Sequence, residues 1–422
     1  MIEWSETHQS IRDSIRKFCD AEVKPKLHAI EHEGEPPYAV LRKLVATFGI
    51  ADMARMTFSA QIEKQKARAG QPEVAREKRS GPNPQTEGSA RSAGDRRGME
   101  MAMRMIPIIE LSRHSPGMVT ALGVSMGLTA SAIMARGTIA QKERWALDLL
   151  TLEKIGAWAI TEPGSGSDAF GAMKSTARRD GEGYVLNGSK TFITNGPYAD
   201  TIVFICKLDE GNDPKLRTVV SFVLDKGMPG LTQSKPLRKL GLHGSPTGEL
   251  FLEDVKVGND RLLGETEEQP SRAATKETFT AERTAVAGMA LGLVEECQRL
   301  SISYANTREQ FGKKIGEFQL IQLKLAKMEV ARMNIQNLVF RQIEMAGEGR
   351  SMSLAEASAC KLYCAQAAMD VCNETVQLFG GNGYMAEYRV EQLFRDARVL
   401  QIYGGTDEIQ ISQIARSLLE TS

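Results

Sequence analysis

The stretch YVLNGSKTFITNGPYADTIVFICKL, residues 184–208, decides the class of fold. Its β-branched and aromatic residues fall into two strand-like runs, 184–194 and 201–208, with no helical pattern between them. Asn187-Gly188 reads as a turn joining two strands within 184–194, because Asn-Gly tolerates the positive φ angles of a tight hairpin. Similar runs follow at TVVSFVLD (218–225) and ELFLEDVKV (249–257). Strands that succeed one another without helices predict an antiparallel β domain, not a βαβ one.

On both sides of this block the apolar spacing turns helical. Upstream, Ile11, Ile15, Phe18 and Val23 follow a Ser5 cap, with Pro25 as the expected stop; a second amphipathic segment, Ala39 to Phe48, ends at Gly49. Helical spacing resumes from Met99 to Leu152. Downstream, helices are predicted over 276–306, 318–347 and 353–379, the last opened by a Ser353-Leu-Ala-Glu356 capping box and closed by Gly380-Gly381. A final helix starts near Thr406, with Asp407 and Glu408 at the positive end of its dipole. The expected fold is α+β: an all-α domain over 1–157, a β domain over 158–275 and a C-terminal domain like a four-helix bundle over 276–422.

Residues 63–98 have nine basic and five acidic side chains and almost no large apolar ones. Such a segment buries too little apolar surface to offset its ordering entropy, so it reads as a mobile insertion, with a charged helix over part of it as the alternative. Over the whole chain 53 Lys and Arg balance 53 Asp and Glu, leaving no net field to draw it to nucleic acid or an anionic membrane. Six cysteines without a C-x-x-C pair fit a reducing compartment, and the acidic N-terminus carries no visible targeting signal; the expected location is cytoplasmic. Residues 115–135 are uncharged and long enough to span a bilayer, but their Ser, Thr and Gly content suits a buried helix of a soluble bundle.

Several local patterns invite chemistry and lack its context. Gly123-Val-Ser125-Met-Gly127 matches a nucleophile elbow but lies inside a helical run, where small residues serve close packing. His28 and His32, or Cys360 and Cys364, are one helical turn apart with no third ligand nearby, so no metal is expected. Rossmann and P-loop signatures are absent, which leaves three glycine-rich loops: Thr161–Asp168, Gly380–Tyr384 and Tyr403–Thr406. Glycine there lets backbone N–H groups approach a phosphate or carbonyl oxygen closely.

Five motifs in order, WAITEPGSGSD (158–168), TFITNG (191–196), REQFGK (308–313) followed by Phe318-Gln319, QLFGGNGY (377–384) and IYGGTDEIQ (402–410), make the chain resemble the acyl-CoA dehydrogenase family. The resemblance implies noncovalent FAD and oxidation of an acyl-CoA thioester to the trans-2-enoyl-CoA. It assigns flavin contacts to Trp158, Ile160, Thr161, Gly166 and Ser167, with Ser167 also facing the pantetheine arm. Phe192, Ile193 and Thr194 would lie against the isoalloxazine, Phe192 where many relatives have Trp. Arg308, Gln310, Phe311, Phe318 and Gln319, with Gln377, Gly380 and Gly381, would hold the adenosine and pyrophosphate, partly of a neighbouring subunit's FAD; Thr406 and Glu408 join the cofactor set.

The base is where the chain departs from the commonest family pattern. Many relatives carry a glutamate immediately before Gly-Thr, a place taken here by Gly404. In the subset resembling isovaleryl- and long-chain acyl-CoA dehydrogenases the carboxylate comes from the helix after the β domain, which here reads Phe279-Thr-Ala-Glu282-Arg283. By that resemblance Glu282 is the base, the Gly404 N–H meets the thioester carbonyl, and Arg283, Tyr403 and Gly405 face substrate. Partners implied are an electron-transfer flavoprotein and further copies of the chain, as dimer or tetramer. A flavin oxidase or monooxygenase, and a catalytically silent partner subunit, are the alternatives.

Overall fold

The computed structural model describes residues 3–69, 87–268 and 272–420. Helix α1 (Glu6–Phe18) starts where its cap predicts, Ser5 Oγ accepting the His8 N–H at 3.3 Å. Pro25 does not end it. The backbone continues through a wide and a tight turn to Glu33 and stops at Gly34, whose φ of +76° suits glycine. Pro25 sits in the tight turn's first residues, where a missing N–H costs nothing.

Helices α2 (Tyr38–Thr47), α3 (Ile50–Ala69) and α4 (Glu87–Ser112) follow. The expected mobile insertion is therefore helical at both flanks, 63–69 and 87–98; residues 70–86 lie outside the described residues. Packing explains the second flank. A side chain at Gly94 would run into the Gly347 carbonyl, and Arg97 donates to the carbonyls of Ala346 (3.3 Å) and Gly347 (3.1 Å), so α4 caps the end of another helix. Helix α5 (Pro116–Arg136) is long and apolar enough to cross a membrane. It lies against the sheet instead, Ser125 Oγ accepting the Gly156 N–H at 2.9 Å; that bond is what Ser125 does in place of nucleophilic chemistry. Helix α6 spans 139–150.

Among the described residues the β domain is a seven-stranded sheet, and it is mixed, not antiparallel. Its strands are β1 (Gly156–Ala159), β2 (Thr176–Asp180), β3 (Gly183–Thr194), β4 (Thr201–Leu208), β5 (Val219–Asp225), β6 (Leu231–Gln233) and β7 (Thr247–Gly258). β1 and β2 both run parallel to β4, because the chain leaves the sheet after β1 through the 160–175 loop and returns on the other side of β4. The hairpin expected at Asn187-Gly188 is also corrected. β3 is one continuous strand paired with β2 and β7, and Asn187 stands opposite a bulge of β7 at Glu253-Asp254. Asn187 trades hydrogen bonds with Asp254 at 2.9 Å, and any Cβ on Gly188 would overlap Ser175 Oγ.

The C-terminal domain is α7 (Arg272–Thr307), α8 (Gln319–Gly347), α9 (Leu354–Phe379), α10 (Val390–Arg398) and α11 (Asp407–Glu420), with a short β8–β9 hairpin (Glu309–Gln310, Lys313–Lys314) before α8. The Ser353 capping box forms as predicted. α7 and α9 share one core with α4, crossing so closely that a Cβ on Gly292 would overlap the Ile109 carbonyl. A buried ion network joins four helices: Arg12 reaches Glu110 and Glu295 at 2.6 Å each, while Arg113 (3.1 Å) and Arg389 (3.2 Å) reach Glu296. Burial opposes ionisation of Glu296, yet Arg299, Arg389 and Arg113 hold its carboxyl down to about 2.

Candidate active site

Glu282 lies in the N-terminal part of α7, and its carboxyl faces the Tyr403–Thr406 turn. A Cβ built on Gly404 would sit 3.6 Å from Glu282 Cδ and Oε1, so the carboxyl occupies the neighbourhood that a side chain at 404 would enter. Gly404 and Gly405 have φ of +62° and +91°, values that favour glycine. Burial raises the Glu282 carboxyl above the ordinary range, with the cations Arg283 and Lys361 pulling the other way. Arg283 is buried, donates from Nη1 to Ser358 Oγ at 2.9 Å, and its Nε has no acceptor among the described residues. The Tyr403 hydroxyl meets Met289 Sδ at 3.2 Å, and burial pushes its phenol up.

The turn is gripped from below by residues that the motifs did not flag. Gln410 Nε2 donates to the carbonyls of Gly404 (3.0 Å) and Gly405 (2.8 Å), and Lys361 Nζ donates to the Gly405 carbonyl at 2.8 Å. Lys361 interrupts an otherwise small and apolar stripe of α9, Ala357, Cys360, Cys364, Ala365 and Ala368, all buried. A lysine at helical spacing inside such a stripe is the signal that could have found it.

A second group gathers at the edge of the sheet. Thr191 N–H donates to the Thr161 carbonyl at 2.9 Å, tying the 158–168 loop to the 191–194 segment. Buried Lys190 holds the loop by donating to the Ile160 carbonyl (3.0 Å) and pairing with Glu162 (2.8 Å). Burial opposes ionisation of Glu162, but Lys190 and the N–H groups of Ser175 and Lys174 keep its carboxyl below the usual value. Phe192 sits where the β3–β7 register slips between Lys190 and Ile193, with φ of +56° and 69% of its surface exposed. A bulky residue held outward in a strained backbone marks a surface shaped for something to cover it. Trp158, Ile160, Thr161 and Thr194 are half-buried, Ile193 is buried, and Gly166 and Ser167 are exposed. Phe170, just beyond Ser167, approaches Phe279 of α7 at 6.5 Å, which brings this group beside the Glu282 turn.

The third group stands apart. Arg308, Gln310 and Phe311 lie on the exposed β8–β9 hairpin, Phe311 with φ of +53° and 94% exposed, its ring 6.1 Å from Phe318. Tyr304 links this region to the Gly380-Gly381 turn by stacking on Phe379 at 4.1 Å and accepting from Asn382 at 2.9 Å. Gln319, Gln377, Gly380 and Gly381 are exposed, and the space around both glycines is open. Thr406 and Glu408 lie at the start of α11: Thr406 Oγ1 accepts the Ile409 N–H at 3.4 Å, and backbone N–H and Thr406 hold the Glu408 carboxyl below its usual value. Among the described residues no cluster of three His, Cys, Asp or Glu suits a metal. The exposed rings of Phe192 and Phe311, the open glycines Gly380 and Gly381, and Arg308, which has no ion pair among the described residues, suit the flavin that the motifs imply.

Comparison with known proteins places the chain in one lineage. Family profiles described as acyl-CoA dehydrogenase N-terminal, middle and C-terminal domains match residues 5–62, 157–255 and 272–419. The chain is 32% identical to 3-(aryl)acrylate reductase of Clostridium sporogenes over 99% of its length and 100% of the relative's. It is 36% identical to the mitochondrial isovaleryl-CoA dehydrogenase of Pongo abelii, covering 98% of this chain and 89% of that one. The butyryl-CoA dehydrogenase structure from Megasphaera elsdenii superposes with a TM-score of 0.80 at 30% identity, over 99% and 100% of the two chains. With three profiles in sequence order and full-length relatives that share its fold, this chain belongs to the acyl-CoA dehydrogenase family.

Proposed function

We propose that the chain oxidises an acyl-CoA thioester to the trans-2-enoyl-CoA and that Glu282 removes the α proton. The family is FAD-dependent, and the flavin supplies the acceptor for the β hydride. The observation that carries the base assignment is the 3.6 Å approach of the Glu282 carboxyl to the Cβ position of Gly404. A carboxylate from α7 thus stands beside the position that carries the base in much of the family. Burial raises its pKa toward the range of a general base at neutral pH. The Gly404 N–H donates to the thioester carbonyl and stabilises negative charge as the proton leaves, while Arg283 faces the CoA side. The missing side chain at 404 leaves room for a branched acyl group, a reading supported by the isovaleryl-CoA dehydrogenase among the relatives.

Electrons pass to an electron-transfer flavoprotein, and the active unit is a homo-oligomer in which Arg308 and Phe311 reach the FAD of another copy. The exposure of Phe311 supports that role. Six buried free cysteines fit a cytoplasmic site of action.

The test is anaerobic bleaching of bound flavin by butyryl-CoA and isovaleryl-CoA, in wild type and Glu282→Gln. Wild type bleaches, and the variant, still carrying FAD, does so at least about 100-fold more slowly. A variant as fast as wild type removes Glu282 from the base role, and oxygen uptake during turnover would favour an oxidase.

A further inference from the structure

Lys361 is fully buried, yet the chemistry described so far does not use it. Its ammonium donates to the Gly405 carbonyl at 2.8 Å and stands 3.5 Å from Asp407 Oδ1. The second oxygen of Asp407 accepts from Gln366 (3.2 Å) and Gln401 (3.1 Å), so the counter-ion is itself fixed from two elements. Gln410 already donates to the same Gly405 carbonyl at 2.8 Å, so a backbone contact alone does not account for a charged residue at this depth. A neutral donor would serve the carbonyl without the cost of burying an ammonium. What a cation adds is its field, and Gly404, the next residue of the turn, has its Cβ position 3.6 Å from the Glu282 carboxyl.

We propose that Lys361 is a positioning residue for proton abstraction: it pins the Gly404-Gly405 turn through the Gly405 carbonyl and holds a buried positive charge against Glu282. The inference rests on the assignment of Glu282 as base. Among the described residues the charged and titratable groups around that carboxyl are Arg283 on its own helix, Lys361 on α9, Tyr403 on the turn and, behind Lys361, Asp407 at the start of α11. Arg283 is already engaged by Ser358. Lys361 supports the ionised base from the protein side, and Asp407 moderates it. Ionising the buried carboxylate thereby costs less than it would without the ammonium, and the N–H assigned to the thioester stays in register with it.

The experiment measures the rate of anaerobic flavin bleaching by butyryl-CoA and isovaleryl-CoA against pH, normalised to bound FAD, in wild type, Lys361→Gln, Asp407→Asn and Glu282→Gln. Lys361→Gln keeps a donor for Gly405 and loses the charge. Its acid limb moves to higher pH by about one unit, so it is about tenfold slower than wild type on that limb and converges with it in alkali. Asp407→Asn leaves Lys361 without its counter-ion and moves the limb the opposite way. A merely structural role would lower the rate by the same factor at every pH. In the substrate-free enzymes, the protonated-carboxyl infrared band that Glu282→Gln abolishes persists to higher pH in Lys361→Gln than in wild type. If Glu282→Gln bleaches like wild type, the base assignment fails by itself. If Glu282→Gln is inert while the other two variants keep the wild-type inflection and band, the base stands and the role of Lys361 is overturned. Asp407→Asn replaces one isosteric side chain, so it carries the comparison if Lys361→Gln does not fold.

Discussion

Gly404 matters for what it leaves out. An alanine methyl there would stand 3.6 Å from the Glu282 carboxyl, an ordinary contact, but at a φ of +62° it would cost about 1–2 kcal/mol in backbone strain. Gly404→Ala should therefore fold with slightly reduced stability and with less room beside the reacting carbons. We expect kcat/KM to fall more for isovaleryl-CoA than for butyryl-CoA; equal losses would mean that residue 404 does not set acyl shape. At this scale the motifs named both the FTAER segment and the glycine pair, which the fold brings side by side. They said nothing of Lys361, because its partners lie 44 and 46 residues away and only the packing of α9 on the turn brings them together.

At the scale of elements, β3 carries both the sequence signal and one of the two misreadings. Its apolar residues are strand-forming as predicted, but Asn187-Gly188 turns no corner, because the flanking residues pair with β7 on either side of a bulge. Turn propensity is local, whereas the choice between hairpin and bulge is made by the neighbouring strands. The parallel pairing of β1 and β2 with β4 was likewise invisible, since it depends on where the 160–175 loop returns. That loop hangs on the Lys190–Glu162 pair. Lys190→Met would leave Glu162 as an uncompensated buried carboxylate, at a cost of about 3 kcal/mol or more. Lower Tm together with loss of FAD on gel filtration would support this; FAD retention at unchanged Tm would show that the loop holds itself.

For the whole molecule, the outer face of α8 is the feature that needs covering. Leu320, Leu323, Val330 and Met333 are exposed at helical spacing, and Phe311 lies on the hairpin just before that helix. Sedimentation of the wild type should give a multiple of the 46.3 kDa chain, and Leu323→Asp should shift it toward the monomer with loss of FAD. A wild-type monomer that holds FAD at micromolar concentration would contradict the proposed assembly.

The network around Glu110, Glu295 and Glu296 draws its arginines from α1 (Arg12), the residue after α4 (Arg113), α7 (Arg299) and the residue before α10 (Arg389), positions far apart in the chain. The N- and C-terminal helical domains balance this set of buried charges only jointly. The three parts that family profiles divide cleanly are therefore not interchangeable cassettes: a first helix borrowed from a relative without Arg12 would bury Glu110 short of one of its cations, so grafts between relatives must carry both sides of the junction together.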